Sequence, residues 1–139
     1  MGTRSTIALE FADGTVQQVY CHWDGYLDNN GAILQANYMD PFKVKQLLAL
    51  GGFSSLRETV EETKETAYHS ARGEELHVNK YKNADEYFAE CQQEEYDYIL
   101  RNVDGTATWF VRCYATDGVW ETIGNAYMCQ HEMEERGAY

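Results

Sequence analysis

The dipeptide Asp-Gly occurs three times, at 13–14, 104–105 and 117–118, each time between strand-like runs. A two-residue turn of type I′ needs positive φ at both central positions, and Asp-Gly is among the few pairs that tolerate it. The constraint is tightest around Asp104-Gly105. A two-residue turn there sets Tyr96 opposite Cys113, Tyr98 opposite Val111 and Leu100 opposite Trp109, so six apolar or aromatic residues share one face. The other face sets Arg101 against Thr108 and Asp97 against Arg112, an opposite-charge cross-strand pair. Turn chemistry and both faces agree on an antiparallel pair, 96–103 with 106–116, that turns again into 119–122. The first Asp-Gly predicts a hairpin of 3–12 with 15–23, in which Ile7, Leu9 and Phe11 alternate inward and Ser5 lies opposite His22.

Helices fall between these hairpins. Asp40-Pro41 reads as an N-cap followed by proline at the first helical position, and Gly51 supplies the stop, predicting a helix over 41–50 with Phe42, Val44, Leu47 and Leu48 inward. Ser55 with Glu58 fits a capping box for a helix running to Tyr68, and Asn83 with Glu86 fits one for a helix to Gln93 with Tyr87, Phe88 and Cys91 inward. Residues 28–39 and 125–135 also read as helical, 76–81 as an extra strand and 68–75 as a loop. The fold class expected is α+β: a single domain over 1–139 with an antiparallel sheet of five or six strands built on hairpins, packed with several short helices, mainly on one face.

Length and composition narrow the function. The chain has 139 residues, 44% of them hydrophobic, with one proline, which suits one packed core and excludes a full-sized Rossmann enzyme or a TIM barrel. No apolar run approaches the roughly 18 residues of a membrane span, and the first ten residues do not resemble a secretory signal. The four cysteines, Cys21, Cys91, Cys113 and Cys129, form no C-x-x-C pair and are expected as free thiols in a reducing cytoplasm. The net charge is −12 and is uneven: residues 58–139 hold seven basic and eighteen acidic residues, a net of −11. That sign disfavours direct nucleic-acid binding and favours a basic protein partner, beside the simpler reading of solubility.

The densest polar-aromatic cluster is Tyr20-Cys21-His22-Trp23-Asp24-Gly25-Tyr26, at the end of the second strand. Arg4, His22, Trp23, Asp24 and Tyr26 are the candidate ligand- or partner-binding residues. His22 beside Asp24 is a conceivable oriented base, with Ser5 as its nucleophile, but no nucleophile elbow accompanies them. Cys21, His22, Cys129 and His131 lack zinc-knuckle spacing, and no phosphate loop is present, so neither metal nor cofactor is expected. Glu58, Glu61, Glu62 and Glu65 lie along one side of a predicted helix and form the candidate acidic, partner-facing surface; a solvated helix face is the commoner meaning of such a run.

The run Met1-Gly2-Thr3-Arg4-Ser5-Thr6-Ile7, then Val19-Tyr20-Cys21-His22-Trp23-Asp24-Gly25-Tyr26-Leu27, Asn30-Gly31, residues 47–52 and Ser54-Ser55-Leu56 resembles a group of small proteins encoded by bacteriophages and prophages. The resemblance covers residues 1–57 and implies a setting, the cytoplasm of an infected bacterium. It transfers no catalytic residue. Small acidic phage proteins without enzymatic motifs often inhibit host machinery or host defence, an analogy that favours a non-catalytic inhibitor of a host bacterial protein. A protein that sequesters a nucleotide-like small molecule is the alternative, and a small hydrolase using His22 and Asp24 is the third. No membrane association is expected, and a homo-oligomer is left open.

Overall fold

The computed structural model describes residues 3–67 and 78–135, so the predicted loop over 68–75 and the first two residues of the predicted strand over 76–81 lie outside the described residues. Six strands, β1 (Ser5–Glu10), β2 (Val16–Cys21), β3 (Asn79–Tyr81), β4 (Tyr96–Val103), β5 (Thr106–Cys113) and β6 (Glu121–Thr122), form one sheet in the order β3-β2-β1-β4-β5-β6. Every neighbouring pair is antiparallel except β1 and β4, which run parallel at the centre. The helices are α1 (Ala32–Asn37), which continues a π-helical turn over Leu27–Gly31, α2 (Pro41–Leu48), α3 (Val60–Lys64), α4 (Ala84–Glu90) and α5 (Ile123–Glu135). The α+β class expected from the sequence is the observed one.

The Asp104-Gly105 hairpin has the predicted register throughout, Tyr96↔Cys113 to Val103↔Thr106, with φ of 51° at Asp104 and 86° at Gly105. The first Asp-Gly pair turns differently, and the third keeps positive φ at both residues, 56° at Asp117 and 74° at Gly118, but follows a 3-10 turn. In the first hairpin, Phe11 N–H donates to Thr15 O at 2.8 Å and Gly14 N–H to Phe11 O at 2.9 Å, which encloses three residues, Ala12 to Gly14. Only Gly14 takes positive φ (90°), as a three-residue loop requires, while the Asp13 carboxylate accepts from the Thr15 amide and hydroxyl. The register therefore slips by one, and Ser5 pairs with Cys21, not with His22. At 117–118, Asp117 (φ 56°) ends a 3-10 turn over Tyr114–Thr116, and β6 is only two residues long.

Strand alternation divides the core into two layers. One face of the sheet carries Ile7, Leu9, Val19, Tyr98, Leu100, Trp109 and Val111, covered by Leu34 of α1, Val44, Leu47 and Leu48 of α2, and Ile123 and Ala126 of α5. The other face carries a small cluster, Ala8, Val16 and Ile99, under Tyr87 of α4 and Cys91, with Tyr81, Phe88, Phe110 and Trp120 at its margin. So most helices share a face, as expected, and among the described residues α4 covers the second.

Local signals hold at most helix starts. Asp40 caps α2, accepting from Phe42 N–H, and Asn83 caps α4, accepting from Glu86 N–H. Gly51 has φ of 74° just past α2. Phe42 is an exception to the expected inward stripe: it is 66% exposed, because the first turn of α2 overhangs the hairpin. The N-cap expected at Ser55 is instead made four residues later, at Thr59. Thr59 accepts from Glu62 N–H at 3.1 Å and its hydroxyl donates to Glu62 at 2.9 Å, so α3 is short.

Candidate functional site

The segment 22–26 leaves the sheet end and is tied down from both sides. His22 N–H donates to Phe53 O and Trp23 N–H to Ser54 O, while Gly25 N–H donates to Thr3 O at 2.8 Å. Asp24 turns the chain with φ of 56°, a conformation that Asp tolerates. Gly25 is buried, and a Cβ there would sit 2.6 Å from Ser5 Cβ and 2.9 Å from Thr3 O, so only glycine allows this approach. Beneath it, Tyr98 OH donates to Gly25 O at 2.7 Å, and Asn29 Nδ2 donates to Asp24 O at 3.0 Å.

This fixed backbone presents Trp23, 42% exposed, and Tyr26, 40% exposed, to solvent. His22 packs edge-on against Trp23, ring centroids 4.5 Å apart, and its Nδ1 lies 2.8 Å from Tyr20 OH. Asp24 and Asp28 are exposed on the same segment. Arg4 is exposed too, with its backbone between this segment and β4: its carbonyl accepts from Tyr96 N–H at 3.3 Å. The guanidinium–aromatic pairs among the described residues are Arg101 with Phe88 and Arg112 with Trp120, and Arg4 with Trp23 is not one of them.

The hydrolase geometry dissolves with the register. Ser5 is fully buried, and its Oγ accepts from Asn30 Nδ2 at 3.1 Å. Asn30 also donates to Cys21 Sγ at 3.6 Å, and burial pushes the Cys21 thiol up, so this sulfur stays protonated and inert. Ser5, Cys21 and Asn30 are a packed polar knot under the loop. Among the described residues, no three His, Cys, Asp or Glu side chains group closely enough to hold a metal ion.

Glu58, Glu61, Glu62 and Glu65 are all exposed. Glu58 precedes the Thr59 cap and Glu65 is the C-cap, so only Glu61 and Glu62 lie within the helix, and Glu62 is engaged by Thr59. The surface remains acidic, though as a helix plus its approach and not as one helical stripe.

A third arrangement was not anticipated. Across the second face of the sheet, Thr6 donates to Asp97 at 2.7 Å, Gln18 to Thr6 at 2.9 Å, Tyr81 OH to Gln18 at 3.0 Å and Arg112 Nη2 to Asp97 at 3.1 Å. Gln18 Nε2 also bonds Gln92 O, which pins the strap that joins α4 to β4. Asp97 is 1% exposed, and burial raises its carboxyl above the usual range despite the bonds from Thr6, Glu94 N–H and Arg112. Only Asp97 and Arg112 were legible beforehand, from the hairpin register; Thr6, Gln18 and Gln92 carry no local signal.

Comparisons with protein-family models, with curated proteins and with solved structures found no match. No helix among the described residues is long and apolar enough to cross a membrane.

Proposed function

We propose that the protein acts by binding and not by catalysis: a small acidic phage protein that docks on a host bacterial factor with a basic surface and blocks it. The observation that carries this reading is the pair Trp23 and Tyr26, each about two-fifths exposed on a backbone held by Thr3, Ser54 and Tyr98. Large aromatic side chains on a fixed backbone lose less entropy on docking and are common anchors of protein interfaces. The net −11 of residues 58–139 supplies the steering, through a field that reaches about 8 Å at physiological salt. It also repels phosphate, which favours a protein partner over nucleic acid. The burial of Ser5, paired with Cys21, removes it as the nucleophile beside His22, which weighs against the Ser5-His22-Asp24 arrangement.

The test is to capture the partner from bacterial lysate, identify it by mass spectrometry, purify it and time its association at low and high salt. Association that slows steeply as salt rises supports the reading. Association insensitive to salt, or a partner with an acidic face, refutes it.

A further inference from the structure

The strap before β4 and the end of β5 enclose an open cleft of about 400 Å³, lined by Gln93, Glu94, Glu95, Arg112, Tyr114 and Gly118 among others. Its wall holds a guanidinium that is already fixed. Arg112 Nη2 donates to Asp97 Oδ2 at 3.1 Å and to Cys91 Sγ at 3.5 Å, and the guanidinium carbon lies 4.8 Å from the Trp120 ring centre. Both bonds use Nη2, so Nε and Nη1 keep donors that no described residue takes up. A preorganised guanidinium with spare donors recognises a carboxylate or phosphate oxygen.

The other residues of the cleft decide between the two. Glu94 and Glu95 line it as well, in a chain of net charge −12, so a phosphate dianion is repelled. Among the described residues Glu94 accepts from Gln92 through Oε2, and Oε1 is left for a cation. Tyr114, 72% exposed, adds an aromatic wall. We propose that this cleft binds a small zwitterion of the free amino-acid class, its carboxylate on Arg112, its ammonium against Glu94 and Glu95 and its side chain along Tyr114. The site does not depend on the partner-docking reading above.

The experiment is a titration of isotope-labelled protein with L-phenylalanine, followed by amide NMR. Phenethylamine, which lacks the carboxylate, and N-acetyl-L-phenylalanine, which lacks the ammonium, serve as controls. Saturable shifts confined to residues 93–96 and 112–118, with a dissociation constant of about 1 mM or tighter, are expected, and both controls bind about tenfold more weakly. Glu94→Gln and Tyr114→Ala each weaken binding about fivefold while the rest of the spectrum is unchanged. These two variants carry the test because Arg112 also holds buried Asp97 in place. No saturable shift, shifts centred elsewhere, or controls that bind as well as L-phenylalanine overturn the proposal.

Discussion

The Tyr98 hydroxyl donates to the Gly25 carbonyl at 2.7 Å and so ties the middle of the sheet to the loop that carries Trp23 and Tyr26. Tyr87, on the other face, is as deeply buried, but its hydroxyl has no hydrogen-bond partner among the described residues. The same substitution therefore has opposite consequences at the two sites. Tyr98→Phe removes a buried bond and should cost about 1–2 kcal/mol in urea unfolding. Tyr87→Phe removes a desolvated group that gains nothing in return, and should be neutral or stabilising by about 1 kcal/mol. Equal losses at both positions would contradict the hydrogen-bond assignment.

Gly25→Ala tests the close approach beneath the loop. The added carbon meets Ser5 Cβ at 2.6 Å and backbone at 2.9 Å, and neither can move without shifting β1. Overpacking of this kind costs about 1–3 kcal/mol. Trp23→Ala, at an exposed position, should change stability by less than about 0.5 kcal/mol. Thermal or urea unfolding of the two variants distinguishes a structural residue from a presented one.

Two buried tyrosines contribute to the alkaline limit, together with the burial-raised thiols of Cys21, Cys91 and Cys113. Burial pushes Tyr87 and Tyr98 well above the ordinary tyrosine value, whereas in the unfolded chain both ionise near pH 10. The folded state then holds the extra protons, so their contribution to stability is full below about pH 10 and is lost as pH rises further. Asp97 behaves likewise at the acid end: its carboxyl is raised by burial, so its contribution is full below about 3.9 and declines as pH climbs to the raised native value. Urea midpoints recorded against pH should fall beyond about pH 10, less steeply in Tyr98→Phe than in the parent. Carboxyl NMR should place Asp97 above the ordinary aspartate midpoint.

Charge reversal at Glu58, Glu61, Glu62 and Glu65 to Lys changes the net charge without touching the core, since all four are exposed. Association with the captured partner should slow by about tenfold or more at low salt, and its salt dependence should flatten. The Glu62 change also removes the carboxylate that accepts from the Thr59 hydroxyl, at a cost of about 1 kcal/mol or less, while the cap bond from the Glu62 amide remains. An unchanged association rate would mean that this acidity serves solubility alone.

The β4–β5 hairpin was legible because one turn type satisfies both faces at once: Asp104 and Gly105 take positive φ, and Leu100/Trp109 and Asp97/Arg112 then fall together. The first hairpin was not, although it carries the same dipeptide. Both faces of β1 and β2 are buried, with Ile7 and Val19 on one side and Ala8 and Val16 on the other, so a slip of one residue offends no polarity pattern. Ser55-x-x-Glu58 and Thr59-x-x-Glu62 both fit a capping box, and the pattern cannot choose between starts four residues apart. The parallel pairing of β1 with β4 joins residues about ninety positions apart, where no local signal reaches. At the candidate site, the aromatics of 22–26 stood out by composition. Gly25 did not, because its role comes from the approach of Thr3 and Ser5 through a register that sequence alone misassigns.

The central claim is that Trp23 and Tyr26 are the anchors of a binding surface and that no chemistry takes place there. Its most direct test is the dissociation rate of the captured partner from the parent and from the Trp23→Ala, Tyr26→Ala double variant, with folding of both checked by circular dichroism. The account predicts dissociation at least about tenfold faster from the double variant, with the fold intact. An unchanged dissociation rate, or a catalytic turnover that disappears in His22→Ala, would contradict it.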